Sequence, residues 1–182
     1  MSKTTDLSKF DNSDYQPGPA FKRAIWYLIN VHIFNSWIPF YGLKRWLLRM
    51  FGANIGKGVV IKPYVRIKYP WKLQIGDYSW IGESVWIDNL DDVVIGKNCC
   101  LSQGVTLICG NHRYDKAQFD LFTQPILIED GVWIGAQCLV LPGSILQNHC
   151  VLSAGLTFSG KAEARMIYPL NTSSTPKARS IQ

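Results

Sequence analysis

A six-residue repeat is the feature of this 182-residue chain that most restricts its fold. Between Ile55 and Phe158 an apolar residue recurs every six positions and is often followed by glycine, as in the successive units IGDYSW and IGESVW. An α-helix has about 3.6 residues per turn and does not produce this period. Repeats of fixed length indicate stacked units around one continuous core, and units of six residues are typical of a parallel β-helix.

The repeat is interrupted at three places, within residues 67–75, 87–95 and 107–128. Three repeats separate each interruption from the next, and three faces of six residues make one coil. We therefore expect all three insertions to project from the same corner of a triangular prism. The longest insertion, residues 108–127, exceeds the usual length of a connection in a compact domain, which indicates a functional loop.

The repeat and the composition together divide the chain into four segments. A polar tail spans residues 1–20, a basic and aromatic helical segment spans 21–52, the β-helix spans 53–160, and a second tail spans 161–182. Because 47% of the residues are hydrophobic and only 18% are charged, disorder over most of the chain is excluded. The predicted fold class is an all-β core, a parallel β-helix of hexapeptide repeats, with an N-terminal α-helical segment.

The cysteines and the first tail predict where the protein works. None of the five cysteines has a partner at the spacing of a zinc or redox motif, so we interpret them as buried, reduced thiols. The first tail lacks the apolar core of a signal peptide. Both observations favour a reducing compartment, and we expect a cytoplasmic protein.

Charge is distributed unevenly along the chain. Residues 15–76 contain ten Lys or Arg and no Asp or Glu, whereas residues 77–160 contain nine acidic and three basic residues. This split predicts two surfaces with different partners. The net charge of +6 alone does not indicate nucleic-acid binding, because no motif of that class is present.

The segment 21–52 combines aromatic residues with cations. Its Trp and Tyr residues lie among five Lys or Arg, including Lys44, Arg45 and Arg49. This pattern suits peripheral contact with a membrane, at its inner face for a cytoplasmic protein. The alternative, which the sequence leaves open, is a pair of helices packed on the main domain or on a neighbouring subunit. Polar residues and Pro39 argue against a membrane span.

One of the three histidines is a candidate for chemistry. His32 lies in the helical segment and His149 in a late repeat, where structural roles explain them best. His112 follows a glycine within the long insertion, beside the other two insertions. Histidine titrates near neutral pH and suits proton abstraction from a hydroxyl, although a structural role for a loop histidine is the competing interpretation. The histidines do not cluster as zinc ligands do, so we expect no metal.

Three sequence segments carry a resemblance to a known family: GLKRWLLRMFGANIGKGV from residue 42, LSQGVTLICGNH from residue 101 and PILIEDGVWIGA from residue 125. They resemble the left-handed β-helix acyltransferases. The similarity is closest to the colanic acid biosynthesis acetyltransferases among the sugar O-acetyltransferases, which include galactoside and maltose acetyltransferases. The resemblance implies a left-handed coil, a homotrimer, acetyl-CoA as co-substrate, and transfer to a sugar hydroxyl of an exopolysaccharide or lipid-linked glycan precursor.

The resemblance also implies roles for individual residues. It makes His112 the general base. It does not name the group that orients the His112 ring, for which Asn111 and Asp115 are our candidates from their position in the sequence. Asp88 and Asn89 take the acceptor-binding place, although a role in shaping the corner is the alternative for both. Trp86 and Tyr114 could stack on a sugar ring or simply pack; for them the residue type is the argument. A Cys109–His112 nucleophile pair is a weaker alternative.

The co-substrate site that the resemblance implies runs along the later coils, between adjacent subunits. Its predicted cofactor-binding residues are Trp133, Gly135, Ala136, Ala154, Gly155, Ser159 and Lys161. Arg165 and Arg179 are further cations for the CoA phosphates. From Leu156 onward, however, the chain reads LTFSGKAEARMIYPLNTSS, which departs from the family pattern and leaves the adenine end undefined.

Two other functions compete with sugar O-acetylation. One is a hexapeptide acyltransferase that acts on another acceptor, such as an amino sugar, serine or an antibiotic. The other is a β-helix without catalysis that serves as a scaffold. Sugar O-acetylation predicts that the protein cleaves acetyl-CoA only with a sugar acceptor and that His112→Ala abolishes this cleavage.

Overall fold

A computed structural model describes residues 4–170 and 176–178 of the chain. Helix α1 spans Ala20–Ile29 and continues into a π-helical turn, Asn30–Phe34, and α2 spans Tyr41–Met50. Short 3-10 turns occupy Leu7–Lys9 and Pro70–Lys72. Apart from the turn Pro70–Lys72, the regular structure described after α2 consists of short strands, which are numbered below in chain order.

Three sheets form the faces of a prism, and the chain visits them in turn. The first sheet contains β1 (Asn54–Ile55), β4 (Leu73–Ile75), β7 (Val93–Ile95), β12 (Ile126–Ile128), β15 (Ile145–Leu146) and β18 (Lys161–Ala162). The second contains β2 (Val60–Ile61), β5 (Trp80–Ile81), β8 (Cys100–Leu101), β13 (Trp133–Ile134), β16 (Val151–Leu152), β19 (Met166–Tyr168) and the antiparallel β20 (Lys177–Ala178). The third contains β3 (Arg66–Ile67), β6 (Trp86–Asp88), β9 (Thr106–Ile108), β14 (Leu139–Val140) and β17 (Thr157–Phe158). The predicted parallel β-helix is confirmed.

The repeated apolar residue of each unit points into the prism. Ile75 aligns with Ile95, and Ile95 aligns with Ile128, so that equivalent residues of successive coils stack. These side chains are buried almost completely. The glycine after the apolar residue is also explained, because a Cβ on Gly76 would lie 2.6 Å from the Gly96 carbonyl carbon of the next coil. A second residue two positions earlier, such as Val59 before Ile61, is buried as well. The six-residue period is therefore two inward side chains and one tight corner per face.

The three insertions share one corner, as predicted. Each joins a strand of the third sheet to a strand of the first: β3 to β4, β6 to β7, and β9 to β12. The long insertion is not an irregular loop, because β10 (Gly110–His112) and β11 (Leu121–Thr123) pair within it as an antiparallel hairpin. We call this edge of the prism the insertion corner.

The predicted C-terminal tail 161–182 is partly wrong. β18 and β19 continue the first and second sheets, so the coil extends through Tyr168. The inward positions of these strands are still apolar: Ala162 is fully buried, and Tyr168 packs edge-on against Phe158 with 5.5 Å between ring centres. Arg179 lies outside the described residues.

Residues 20–51, called the cap below, close the N-terminal end of the prism. Main-chain hydrogen bonds join successive coils in both directions: the Gly56 N–H donates forward to Ile75 O at 2.8 Å, and the Tyr78 N–H donates back to Lys57 O at 2.9 Å. The carbonyls of the first coil that face the cap have no preceding coil to bond them. Three cations of α2 supply them: Lys44 Nζ donates to Lys62 O at 3.0 Å, Arg45 Nη1 to Val59 O at 2.7 Å, and Arg49 Nη2 to Ile55 O at 2.7 Å.

Helix α1 and the π-helical turn complete this closure on the third sheet. The Trp26 indole donates to the Ile67 carbonyl at 2.8 Å, and the Asn30 side chain accepts from the Ile67 N–H at 3.2 Å. All three first-coil edges are thus covered, which blocks pairing with a foreign strand. Lys44, Arg45 and Arg49, which the sequence suggested for lipid contact, direct their side chains to these carbonyls. Among the described residues, no helix is both long and apolar enough to cross a membrane.

Lys44 makes the stability of the cap depend on pH. The side chain is fully buried, with its ammonium 5.7 Å from the Phe34 ring centre, and burial lowers the pKa of Lys44 to about 8. Above that pH the unfolded chain binds more protons at this site than the folded chain, so the free energy of unfolding rises with pH. Relative to Lys44→Met, we expect the wild type to gain about 1 kcal/mol between about pH 7 and about pH 9.

Urea unfolding of both proteins at both pH values measures this effect. Taking the difference between the two proteins cancels the titration of tyrosines and cysteines that they share. A difference that stays constant, or that falls as the pH rises, would contradict the burial of a charged Lys44.

Candidate active site

The long insertion anchors its hairpin on the coil before it. The Gln124 N–H donates to the Cys109 carbonyl at 2.8 Å, and the Cys109 N–H donates to the Asp88 carbonyl at 3.2 Å. The Thr123 hydroxyl donates to the Asp91 carboxylate at 3.0 Å. These bonds fix the base of the hairpin, and its first strand ends on His112.

The His112 ring is held by Phe119 in two ways. Nδ1 lies 2.9 Å from the Phe119 carbonyl oxygen, and the two rings stack with centres 4.4 Å apart and planes 6° apart. A carbonyl oxygen only accepts hydrogen bonds, so Nδ1 carries the proton and Nε2 keeps its lone pair. A neutral imidazole oriented in this way is equipped to remove a proton from a hydroxyl.

The group that orients the imidazole was not predicted correctly. Asn111 accepts from the main-chain N–H of His112 at 2.8 Å and so shapes the strand rather than the ring. No contact to the ring is found for Asp115. Phe119 has a φ of +54°, a left-handed conformation that is uncommon for a bulky residue. No sequence signal pointed to Phe119, because a main-chain carbonyl contacts the His112 Nδ1 atom and every residue has such a carbonyl.

The first tail also reaches this site, which the sequence did not indicate. The Phe10 ring packs against His112 with centres 5.6 Å apart. Two hydrogen bonds hold the tail on the insertion corner: the Asp6 N–H donates to the Ala117 carbonyl at 2.8 Å, and the Tyr15 hydroxyl donates to the Leu90 carbonyl at 2.7 Å. The residues before α1 therefore form one wall around the histidine.

A small cavity opens beside the histidine. It has a volume of about 190 Å³ and is lined by Asn111, His112, Arg113, Tyr114, Asp115 and Phe122. Tyr114 is 84% exposed, so its ring is free to contact a ligand at the mouth. The structure thus brings two predicted site residues, His112 and Tyr114, to one opening.

Asp88 and Trp86 lie on β6, one coil before the hairpin. The Asp88 side chain is mostly buried, with 14% of its surface exposed, and its carboxylate forms an ion pair with Lys68 at 2.8 Å. The Trp86 ring is half-buried beneath the Arg66 guanidinium, 4.7 Å from the ring centre. Both residues retain partly exposed surface for an acceptor.

Asn89 is different, and its predicted role in binding the acceptor is wrong for this chain. Its side chain is fully buried, accepts from the Tyr69 N–H at 3.0 Å, and donates to the carbonyls of Tyr69 at 2.6 Å and Lys72 at 3.1 Å. Every polar atom of the amide is therefore engaged with the first insertion. Asn89 shapes the insertion corner, which was the alternative interpretation.

Cys109 does not form a nucleophile pair with His112. The residue is fully buried, and burial raises the pKa of its thiol to about 12. A thiolate is the reactive form of cysteine, so this thiol is inert near neutral pH.

A second, larger cavity of about 710 Å³ lies on the outer face of the second sheet. Its lining residues are Ser102, Gln103, Trp133, Gly135, Ala136, Val151, Leu152, Ser153, Ala154 and Ile167. Four of the seven predicted cofactor-binding residues are among them: Trp133, Gly135, Ala136 and Ala154. The Trp133 indole donates to Ser102 at 3.0 Å and forms one rim. A Cβ on Gly135 would lie 2.5 Å from the Ala154 nitrogen, so the coils approach closely here, as they do at the equivalent glycines of other corners.

The other three predicted cofactor-binding residues do not line this cavity. Gly155 supports a turn with a φ of +76°, Ser159 is exposed, and Lys161 forms an exposed ion pair with Glu163 at 3.2 Å. Arg165 is exposed in the following turn. These residues extend along the same end of the coil, beyond the cavity that the structure shows.

The two cavities belong to different edges of the prism. The larger one spans the second sheet and its turns toward the third sheet, whereas His112 stands between the third sheet and the first. A single chain therefore does not bring the cavity and the histidine together. Over the described residues, no group of three or more His, Cys, Asp or Glu side chains could hold a metal ion.

Comparison with known proteins gives matches to one class. The family described as the hexapeptide repeat of succinyl-transferase matches residues 125–158. Colanic acid biosynthesis acetyltransferase WcaF of Escherichia coli is 38% identical over 152 residues, which cover 82% of this chain and 83% of that protein. Galactoside O-acetyltransferase of Escherichia coli is 27% identical over 112 residues, 60% of this chain and 55% of that protein.

Solved structures share the architecture. A hexapeptide-repeat acetyltransferase from Vibrio cholerae superposes with a TM-score of 0.75 at 18% identity, covering 90% of this chain and 91% of that chain. Galactoside acetyltransferase in complex with coenzyme A gives a TM-score of 0.73 at 22% identity, covering 82% and 76%. The similarity to WcaF covers more than four-fifths of both chains. The chain belongs to the hexapeptide-repeat acetyltransferases.

Proposed function

We propose that the protein is an acetyl-CoA-dependent O-acetyltransferase that acts on a sugar hydroxyl. The observation that carries this proposal is the His112 ring, whose Nδ1 is held by the Phe119 carbonyl and whose Nε2 is free. Nε2 removes the proton of the acceptor hydroxyl as its oxygen attacks the thioester carbonyl. The resulting imidazolium then returns the proton to the departing thiolate, which leaves as CoA thiol. No covalent acyl-enzyme is required, which agrees with the inert thiol of Cys109.

The cavity beside Trp133 supports the choice of co-substrate. Its apolar walls and closely packed backbone at Gly135 suit the narrow pantetheine arm of a coenzyme A thioester. The related acetyltransferase of Vibrio cholerae has been solved with acetyl coenzyme A, and galactoside acetyltransferase with coenzyme A. We assign the thioester to this cavity, with Lys161 and Arg165 near the phosphates.

A sugar acceptor fits the smaller cavity at His112. Tyr114 and Trp86 offer aromatic surface for a sugar ring, and the Asp88 carboxylate offers an acceptor for sugar hydroxyls. WcaF carries the name of colanic acid biosynthesis, and a second relative is named for galactosides. We therefore propose a saccharide of an exopolysaccharide or a lipid-linked glycan precursor as the acceptor.

The separation of the two cavities supports a homotrimer. Because His112 and Trp133 lie on different edges of one prism, a complete site requires the histidine of one copy to meet the cavity of another. A closed ring of three prisms provides three equivalent contacts of this kind. All five cysteines are free thiols, which fits the proposed cytoplasmic location.

A thiol-release assay tests the proposed function. Purified protein with acetyl-CoA is offered free sugars, nucleotide sugars and lipid-linked saccharides, together with amino sugars and serine. We expect CoA release only with a hydroxyl-bearing saccharide, from a particle with three times the mass of the chain. Turnover with amino sugars or serine but not with saccharides that lack an amine would assign an N-acyltransferase. A fully active monomer would contradict the shared site.

A further inference from the structure

The outer surface of the cap carries an apolar area that neither the core nor the active site uses. Of the twenty exposed large hydrophobic residues in the described part of the chain, ten lie within these 32 positions. They are Phe21, Ile25, Tyr27, Leu28, Val31, Trp37, Phe40, Leu43, Trp46 and Met50. Apolar residues at this density on one surface mark an interaction site rather than ordinary surface variation.

Both cap helices are apolar on two sides. The inner side of α1 buries Trp26, whereas Phe21, Ile25 and Leu28 follow one another at helical spacing on its exposed side. In α2, the buried residues Leu47 and Leu48 face the coil. Leu43, Trp46 and Met50 form the equivalent exposed stripe on α2. Closing the prism requires only the inner sides, so the outer stripes need a separate explanation.

The charge of the cap selects the partner. The cap contains five Lys or Arg and no acidic residue, and the acid-free stretch continues to Gly76. The bonds from Lys44, Arg45 and Arg49 go to neutral carbonyls, so they leave the positive charge of this end uncompensated. Two copies meeting through the same face would place like charges together, which opposes association.

A cavity at the edge of the cap points to anionic headgroups. It has a volume of about 360 Å³ and is lined by Arg23, Ala24, Trp26, Tyr27, Asn30, Lys68 and Tyr69. The Arg23 Nε atom is buried there without a hydrogen-bond partner. Lys68 at the same opening also contacts Asp88, so the cavity lies between the outer face of the cap and the acceptor-side coil.

We propose that the outer face of the cap docks on a lipid bilayer that contains anionic phospholipids. Phe21, Trp37 and Trp46 enter the interfacial region, where aromatic side chains are favoured, while the uncompensated cations attract phosphate headgroups. The helices lie along the surface and do not span it. Docking in this way brings the prism to a membrane surface with its active site still open to solvent along the side.

Vesicle sedimentation of the full chain tests this surface. The wild type is mixed with phosphatidylcholine vesicles and with vesicles that also contain phosphatidylglycerol. The test variant combines Phe21→Ser, Trp37→Ser and Trp46→Ser. The matched control combines Tyr78→Ser and Trp80→Ser, two aromatic residues that are 53% and 56% exposed on the coil. Circular dichroism verifies that both variants are folded.

We expect the wild type and the control to bind the anionic vesicles at least tenfold more tightly than the neutral ones, with loss of binding at high salt. The test variant should bind the anionic vesicles at least tenfold more weakly. Wild type that stays in the supernatant, or a test variant that binds equally well, would overturn the proposal. A smaller assembly in the test variant, without vesicle binding by the wild type, would instead assign the face to contact between copies.

The outcome is independent of the proposed catalysis. Acetyl transfer to a water-soluble acceptor should be the same in the test variant and the wild type. Loss of vesicle binding with normal transfer would concern only the cap, and loss of transfer with normal vesicle binding would concern only the proposed catalysis.

Discussion

Replacing His112 with alanine is expected to lower kcat/KM for acetyl transfer roughly a thousandfold, the usual contribution of a general base. In the proposed mechanism Nε2 accepts the proton, in the cavity that the imidazole shares with Tyr114. The buried thiol of Cys109 offers no replacement. Binding of the thioester should persist in the variant, because no residue of the hairpin lines the cavity at Trp133.

The control for this prediction is His32→Ala. His32 is exposed in the cap and makes no contribution to the proposed chemistry, so its removal should leave transfer to a soluble acceptor within about twofold of wild type. Calorimetric titration with CoA separates lost chemistry from lost binding. A His112→Ala protein with full activity would remove the histidine from the mechanism and, with it, the observation on which the proposed function rests.

The repeat predicted the fold because its period has a direct geometric meaning. Two inward side chains and one tight corner per face give six residues, and three faces give the coil. The same count predicted that the insertions lie at one corner, and therefore that His112 stands beside the coil that carries Asp88. Local spacing sufficed because each unit contacts only its neighbours in the stack.

Contacts distant in sequence were not predictable in the same way. Phe119 orients His112 through its carbonyl and its stacked ring, and neither contact follows from the repeat or from the spacing of the two residues. Phe10 reaches the same ring from a tail whose composition indicated only polarity. Pairing of β18 and β19 with the coil was missed because the glycines and aliphatic residues of the repeat fade after Gly160.

The acid-free run of the sequence has a structural explanation that its composition did not reveal. At the N-terminal end no preceding coil is present, and the carbonyls of Ile55, Val59 and Lys62 face the cap. Lys and Arg can donate to these oxygens, whereas a carboxylate would repel them. Lys44, Arg45 and Arg49 meet this need, and their charge then remains available to attract an anionic surface.

Replacing Asn89 with leucine is expected to lower the free energy of unfolding by about 3 kcal/mol, because three main-chain groups lose their partners at once. The Tyr69 N–H, the Tyr69 carbonyl and the Lys72 carbonyl all face this amide. Leucine has a similar volume and fills the space, so the loss reports on hydrogen bonding rather than on a cavity. Urea unfolding monitored by circular dichroism measures the change.

The same variant separates a structural role for Asn89 from acceptor binding. Asn54→Leu is the matched control, because Asn54 is exposed on the first strand and its replacement should change stability by less than about 0.5 kcal/mol. At a temperature where Asn89→Leu is still folded, its KM for the acceptor should match that of the control. Unchanged stability with a raised acceptor KM would return Asn89 to the acceptor site. A lower unfolding free energy with an unchanged KM would confirm that Asn89 holds the first and second insertions together. The proposed contacts to the sugar would then rest on Asp88, Trp86 and Tyr114.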